Sequence, residues 1–301
     1  MTKSVLILGA NGRFGSHAAE AFWISGWQVT AFDRSTDDLL SAAQGKDVIV
    51  NGWNPPYTEW AQDLPDITQR VIEAARSSGT TVIVPGNVYV FGKDAAASFG
   101  PDTPHGATNP LGRLRIQMEA AYRRAGVRTI ILRCGDFIDT HPSGNWFDLV
   151  MTKSLQNGVF TYPGRSDIPH AWAFLPDAAR AAVALAEIRH RLPVFADIPY
   201  AGYTLSGDEI CAELARITRA PVKLKRMRWL PISLARPLWK MARHLMEMRY
   251  LWNKPHALDP SVLGALVPEF AETSYQEALA LAVQDQVHPD KPVMRPQTLA
   301  A

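Results

Sequence analysis

The feature that most constrains this chain sits at its start. Residues 3–8 read as a buried parallel strand, and Gly9-Ala10-Asn11-Gly12-Arg13-Phe14-Gly15 follows at once, opening a helix whose apolar positions are Phe14, Ala18, Ala21, Phe22 and Ile24. In a GxxGxxG loop the first glycine permits the tight turn. The second lets backbone N–H groups approach a pyrophosphate. The third lets helix and strand pack closely, and the helix N-terminus adds partial positive charge. Asp33 lies 18 residues after Gly15, at the end of the next strand, where a carboxylate can accept hydrogen bonds from both ribose hydroxyls of an adenosine. These positions predict a dinucleotide site made by Gly9, Asn11, Gly12, Arg13, Phe14 and Gly15, with Asp33 and Arg34 beside it.

The pattern downstream is consistent with that start. Trp27–Phe32, Val48–Val50, Thr81–Val84 and Val127–Leu132 read as strands, separated by helical segments at 67–76 and 114–125. The turn-rich Asn51-Gly52-Trp53-Asn54-Pro55-Pro56 closes the third strand, and Asn51, Gly52 and Trp53 join the predicted cofactor contacts. Residues 92–110 read as a long loop. Such alternation specifies an α/β, doubly wound parallel sheet. Asp177–His190 is a further helix and Val194–Ile198 a last strand. The predicted division is 1–133 plus about 175–199 for the dinucleotide-binding domain. A smaller, mostly helical substrate lobe takes about 134–174 and 200–301.

Composition excludes several alternatives. Of 301 residues 47 % are hydrophobic and 20 % charged, so the chain is not disordered throughout. Lys and Arg total 31 against 29 Asp and Glu, and a net +2 gives no global field for nucleic acid. Two cysteines, Cys134 and Cys211, cannot form a disulfide framework or a cysteine zinc site, and no metal is expected. With no signal-peptide core and no long apolar run, the expected location is the cytoplasm.

The chain resembles the extended and atypical short-chain dehydrogenase/reductases, the NAD-dependent epimerase/dehydratase and NmrA-like group. The resemblance rests on GANGRFG, on 71–92 (VIEAARSSGTTVIVPGNVYVFG), on 109–137 (NPLGRLRIQMEAAYRRAGVRTIILRCGDF) and on 170–187 (HAWAFLPDAARAAVALAE), with a weaker block at 261–283. It implies a Rossmann fold, NAD or alternatively NADP as cofactor, and a small-molecule substrate. Active members carry a Ser or Thr where this chain has Asn87, and a Tyr-x-x-x-Lys helix where it has Leu111 and Arg115. Leucine cannot carry the proton that accompanies hydride transfer. Arg115 could still meet the nicotinamide ribose. Relatives also place another strand between Arg34 and Asp47, where this chain has room for one short helix.

Tyr89, two residues beyond Asn87, would share its face if the segment stays extended, so Asn87, Tyr89 and Arg115 are the candidate catalytic residues. Packing is the competing role for Tyr89, and for Cys134 a small core residue competes with a reactive thiol. His105, His141 and His170 are expected as solvated loop residues. Arg34 favours a 2′-phosphate unless it pairs with Asp37 or Asp38, and Arg13 could add a second cation; Asp33 favours NAD.

Residues 219–254 hold ten Lys or Arg and one acid, Glu247, with Leu238, Met241, Leu245, Met248 and Trp252 at helical spacing. They predict an amphipathic helix near 231–252. It serves as a lobe helix, an anion-binding surface, or a weak contact with an anionic membrane or a protein. A homodimer is left open. Two functions compete: an NAD(P)-dependent reductase or epimerase/dehydratase with a degenerate Ser-Tyr-Lys set, or a non-catalytic dinucleotide-binding regulator or scaffold.

Overall fold

The computed structural model describes residues 2–287. Six strands form one parallel sheet: β1 (Ser4–Leu8), β2 (Gln28–Phe32), β3 (Val48–Asn51), β4 (Thr81–Gly86), β6 (Thr129–Arg133) and β10 (Phe195–Pro199), in the order β10-β6-β4-β3-β1-β2. The chain winds outward from β1 in both directions, so the strand order reverses there and a crevice opens at the carboxyl ends beside it. Register sets what lines that crevice. Leu8 pairs with both Phe32 and Asn51, which brings Gly9, Asp33 and Gly52 to one level; Gly86 pairs with Arg133, and Arg133 with Pro199.

The strands are apolar because both faces are covered. One side packs on α1 (Arg13–Ile24) and α5 (Leu175–Glu187), around Val5, Ile7, Phe22 and Leu185. The other packs on α3 (Trp60–Ser78) and α4 (Pro110–Ala125), around Leu6, Ile49, Val71 and Tyr122. The predicted shortening of the sheet is present: α2 (Leu39–Ala43) occupies the connection after β2, and β2 is the edge strand.

The rest of the chain adds further elements around this sheet. Besides helices it contains three small sheets that the apolar pattern did not announce. One holds β7 (Asp136–Ile138), β9 (His170–Phe174) and β11 (Tyr203–Leu205). The others pair β8 (Val159–Tyr162) with β12 (Lys223–Arg226), and β5 (Ser98–Phe99) with β13 (Ala257–Leu258). Thus the expected loop at 92–110 contains a strand. A third core gathers Phe147, Phe160, Trp172 and Trp252 with Ile210 and Leu214 of α6 (Gly207–Thr218), a helix begun by a capping box of Ser206 and Glu209.

Two helical expectations need correction. The helix α3 starts at Trp60, not near 67, and runs through Pro65. Burial of Trp60, Leu64, Ile67 and Val71 at helical spacing outweighs the hydrogen bond that Pro65 cannot make. The helix expected near 231–252 is two: α7 (Leu230–Ala235) and α8 (Lys240–Met248). Leu238, assigned to an apolar face, stands 96 % exposed in the turn between them. Two more short helices, α9 (Ser261–Leu266) and α10 (Tyr275–Ala282), return against the lobe and the sheet. Among the described residues no helix is long and apolar enough to cross a membrane.

Candidate functional site

The glycine loop has the backbone the motif demands. Gly9 takes φ +75°, a left-handed conformation that favours glycine, and Gly12 donates its N–H to the Gly9 carbonyl at 2.8 Å before capping α1 in extended geometry. A methyl group on Gly15 would sit 2.0 Å from the Gly9 oxygen, and one on Gly52 would sit 2.7 Å from the Leu8 oxygen. These contacts are backbone on backbone, so the loop, the start of α1 and the end of β3 lock together only without side chains. Gly12 and Asn11 remain exposed at the helix N-terminus. Their exposed backbone lies at a helix N-terminus, the kind of place where a phosphate is held.

The residues around the loop divide into those that face the cleft and those that shape it. Phe14 puts its ring in the core, leaving only its backbone for a ligand. Asn51 is buried, donating to the Tyr122 hydroxyl at 3.1 Å and accepting from the Trp53 amide; it builds the turn and offers no side chain to a ligand. Trp53 lies against Gly9 and edge-on to Phe32.

Asp33 is exposed at the end of β2. Its Oδ1 accepts from the Ser35 hydroxyl and amide, which holds the carboxyl below its usual pKa. Arg34 pairs with neither Asp37 nor Asp38: those acids bond the Asp33 amide and cap α2. Its guanidinium lies 5.7 Å from the Trp53 ring centroid instead. Arg13 is not a spare cation for a phosphate, because it donates to the carbonyls of Ser143 and Gly144.

The catalytic candidates are arranged differently from the expectation. Residues 88–90 form a 3-10 turn, so Asn87 and Tyr89 are not on one face of a strand. The Asn87 side chain accepts from the Tyr89 amide and caps that turn, because an Asn oxygen at a helix start satisfies an otherwise orphaned N–H. Arg115 is not free to reach a ribose. It is buried, lies 4.3 Å from the Trp60 ring centroid and donates to Asn54 Oδ1 at 2.8 Å. Leu111 is buried, and its amide donates to Glu247 of α8 at 2.6 Å.

Near these candidates lies a pair of phenols. The Tyr57 and Tyr89 hydroxyls are 2.6 Å apart, and both rings are half-buried. Burial raises both pKa values, Tyr89 well above 10, with the charge of Asp136 acting in the same direction and that of Arg115 against it. Arg13 also lowers the pKa of Tyr57 slightly. Two histidine–carboxylate pairs are also present. Asp136 bonds His170 Nε2 at 2.7 Å, and His170 stacks on Trp252 at 4.5 Å. His244 of α8 faces the Tyr57 ring at 6.5 Å and is 3.7 Å from Glu247.

The three histidines expected in solvated loops therefore differ. His170 is buried in β9, His105 lies 3.7 and 3.6 Å from Glu119 and Asp197, and His141 alone of the three is exposed. Cys134 takes the core role: it is buried among apolar side chains, and burial pushes its thiol up to about 12.

Sequence reasoning missed Tyr57, Asp136, His244 and Glu247. Tyr57 stands just past the Pro55-Pro56 turn and Asp136 three residues past β6, both beyond strand carboxyl ends, and that position was the available signal. His244 and Glu247 had no such signal, because the docking of α8 over the sheet is not written in its periodicity.

Comparison with known structures agrees with this topology. MoeE5 in complex with UDP-glucose and NAD superposes with a TM-score of 0.73 over 93 % of this chain and 97 % of its own, at 18 % identity. The chain shares their fold with NAD-bound epimerases. UDP-glucuronic acid 4-epimerase from Bacillus cereus, in complex with UDP-glucuronic acid and NAD, gives 0.72 over 94 % and 98 % at 16 % identity. A nucleoside-diphosphate-sugar epimerase from Pseudomonas aeruginosa gives 0.70 over 94 % and 97 % at 15 % identity. No protein-family model and no curated protein sequence matches the chain.

Proposed function

We propose that the protein binds NAD and acts as an epimerase/dehydratase-type oxidoreductase on a small molecule, using the Tyr57–Tyr89 pair in place of the absent tyrosine of the Tyr-x-x-x-Lys helix. The 2.6 Å contact between the two phenols carries the chemical part of this reading, because it sets ionisable hydroxyls beside the dinucleotide cleft where Leu111 has none. The cofactor part rests on the side-chain-free cradle of Gly9, Gly12, Gly15 and Gly52 and on Asp33. With Arg13 held by two carbonyls and Arg34, though unpaired with Asp37 or Asp38, lying against the Trp53 ring, we take Asp33 as the group that meets an adenosine ribose, which favours NAD over NADP.

Bound NAD supplies hydride acceptance and donation. The chain's own residues handle the proton. Tyr89 would give its proton to the substrate oxygen when hydride is added to the adjoining carbon, and as the phenolate would take the hydroxyl proton when hydride leaves it; its pKa, raised well above 10, favours the donating form at rest. Tyr57 hydrogen-bonds the Tyr89 oxygen and relays a proton back to it, and the nearby charge of Arg115 eases formation of the intervening phenolate. Asn54 fixes the guanidinium of Arg115 on Trp60.

UDP-glucose and UDP-glucuronic acid are the first substrates to test, since those solved relatives hold them. The assay incubates the NAD-loaded protein with each and resolves the sugar nucleotides by chromatography. Tyr89→Phe is expected to slow turnover by about 10² to 10⁴. An unchanged rate in that variant removes the proton-carrying role. A second reading, a dinucleotide-binding regulator without turnover, draws on the seal that Glu247 makes over the Leu111 amide. NAD binding with no turnover on a broad panel of carbonyl and alcohol substrates would favour it.

A further inference from the structure

The turn joining α7 to α8 exposes large apolar side chains in a field of unpaired cations. Leu230 is 68 % exposed, Leu234 71 %, Leu238 96 % and Trp239 47 %. Leu230 and Leu234 are one turn apart on α7. The Leu238 and Trp239 amides both bond the Ala235 carbonyl, so the chain turns once more and Leu238 follows at another four-residue step. No Asp or Glu occurs between Glu213 and Glu247. Arg226, Arg228, Arg236, Lys240 and Arg243 are all exposed, and none makes an ion pair among the described residues. A cavity beside Leu230 is lined by Arg226 and by Arg249, whose guanidinium lies 5.4 Å from the Trp229 ring centroid.

Each simpler account explains half of this. A core helix would bury its leucines, and here they point out. A merely solvated cationic face does not need three leucines and a tryptophan at its tips. The chain as a whole carries only +2, so the charge is concentrated locally. Apolar tips set among cations suit a boundary where one layer is anionic and the next is hydrocarbon.

We propose that residues 226–243 dock the protein on an anionic lipid surface. Leu230, Leu234, Leu238 and Trp239 enter the boundary between headgroups and acyl chains, while Arg226, Arg228, Arg236, Lys240 and Arg243 meet lipid phosphates. The same helix α8 carries His244 and Glu247 to the cleft, so the docked surface lies next to the candidate site.

The test is sedimentation of the full chain with phosphatidylcholine vesicles, with and without phosphatidylserine, at low and high salt. Binding is expected only with phosphatidylserine and is expected to weaken as salt rises. Arg236→Glu with Lys240→Glu should weaken it by about fivefold or more per lost cation, and Leu234→Asp with Leu238→Asp should abolish it. All four positions are exposed, so both variants should keep the wild-type circular dichroism and thermal transition. Lipids brominated on the acyl chain should quench fluorescence in the wild type and less in Trp239→Phe. Failure of the wild type to bind anionic vesicles at low salt overturns the proposal. So does binding that survives the leucine substitutions. Self-association of the free protein that those substitutions abolish would assign the patch to a second copy, and also overturns it.

Discussion

Replacing Arg133 with methionine should destabilise the fold in a manner that depends on pH. Arg133 ends β6, is 1 % exposed, and binds three groups at once. It donates to both oxygens of Glu119 at 3.2 and 2.8 Å, to Asp197 Oδ1 at 3.0 Å and to the Asn87 carbonyl at 2.6 Å. Methionine matches the volume but leaves the buried Glu119 and the partly buried Asp197 without their cation. Losing one partner of a buried ion pair costs about 3–5 kcal/mol. The second carboxylate does not double this, because His105 lies 3.7 Å from Glu119 and 3.6 Å from Asp197 and stays beside both.

The sign with pH follows from the carboxylates. In the wild type, burial opposes ionisation of Asp197, but His105 and Arg133 outweigh it and hold its pKa below the ordinary 3.8. That contribution is complete above the unfolded value and fades only as pH falls through the lower folded one. In the variant, burial outweighs what remains around Asp197, and its folded pKa moves above the unfolded value. Its penalty is therefore largest at neutral and alkaline pH and eases on acidification, as it gains a proton. Denaturant unfolding of both proteins from pH 8 down to about pH 5 checks this. The expected difference is about 3–5 kcal/mol at pH 8, narrowing toward pH 5. A difference below about 1 kcal/mol, or one constant with pH, would refute the reasoning.

Two further outcomes concern the cofactor cradle. Gly15→Ala puts a methyl 2.0 Å from a backbone oxygen and should destabilise the fold by at least about 1–3 kcal/mol, whereas Gly12→Ala meets only the Gly9 oxygen at 3.1 Å and should leave the fold nearly intact while weakening NAD, as thermal transitions with and without NAD will distinguish. Saturating NAD, at about 100 times its dissociation constant, should stabilise the protein by roughly 2.7 kcal/mol, and Asp33→Asn should reduce that shift; a shift with NADP and none with NAD would show that Arg34 outweighs Asp33.

Local physics sufficed for the scaffold. The apolar runs of β1, β3, β4 and β6 read as strands covered on both faces, Gly9 takes a left-handed φ, and Gly15 needs a backbone approach that any side chain would block. These are properties of a few adjacent residues, so they are written in one dimension. The absence of a phenol at 111 and the shortened connection after β2 were equally plain. The replacement chemistry was not. Tyr57 and Tyr89 are 32 residues apart and meet because β3 and β4 are neighbours in the sheet, a fact of register. The three histidines looked alike along the chain; burial separated them, since His170 found Asp136 and the Trp252 ring whereas His141 stayed in solvent. Residues 231–252 have the period of one amphipathic helix, yet the chain breaks at 236–239. Leu238 and Trp239 are thereby turned outward, while Met248 and Trp252 remain in the core. Periodicity specifies which side chains share a face, but what that face meets depends on the elements packed around it.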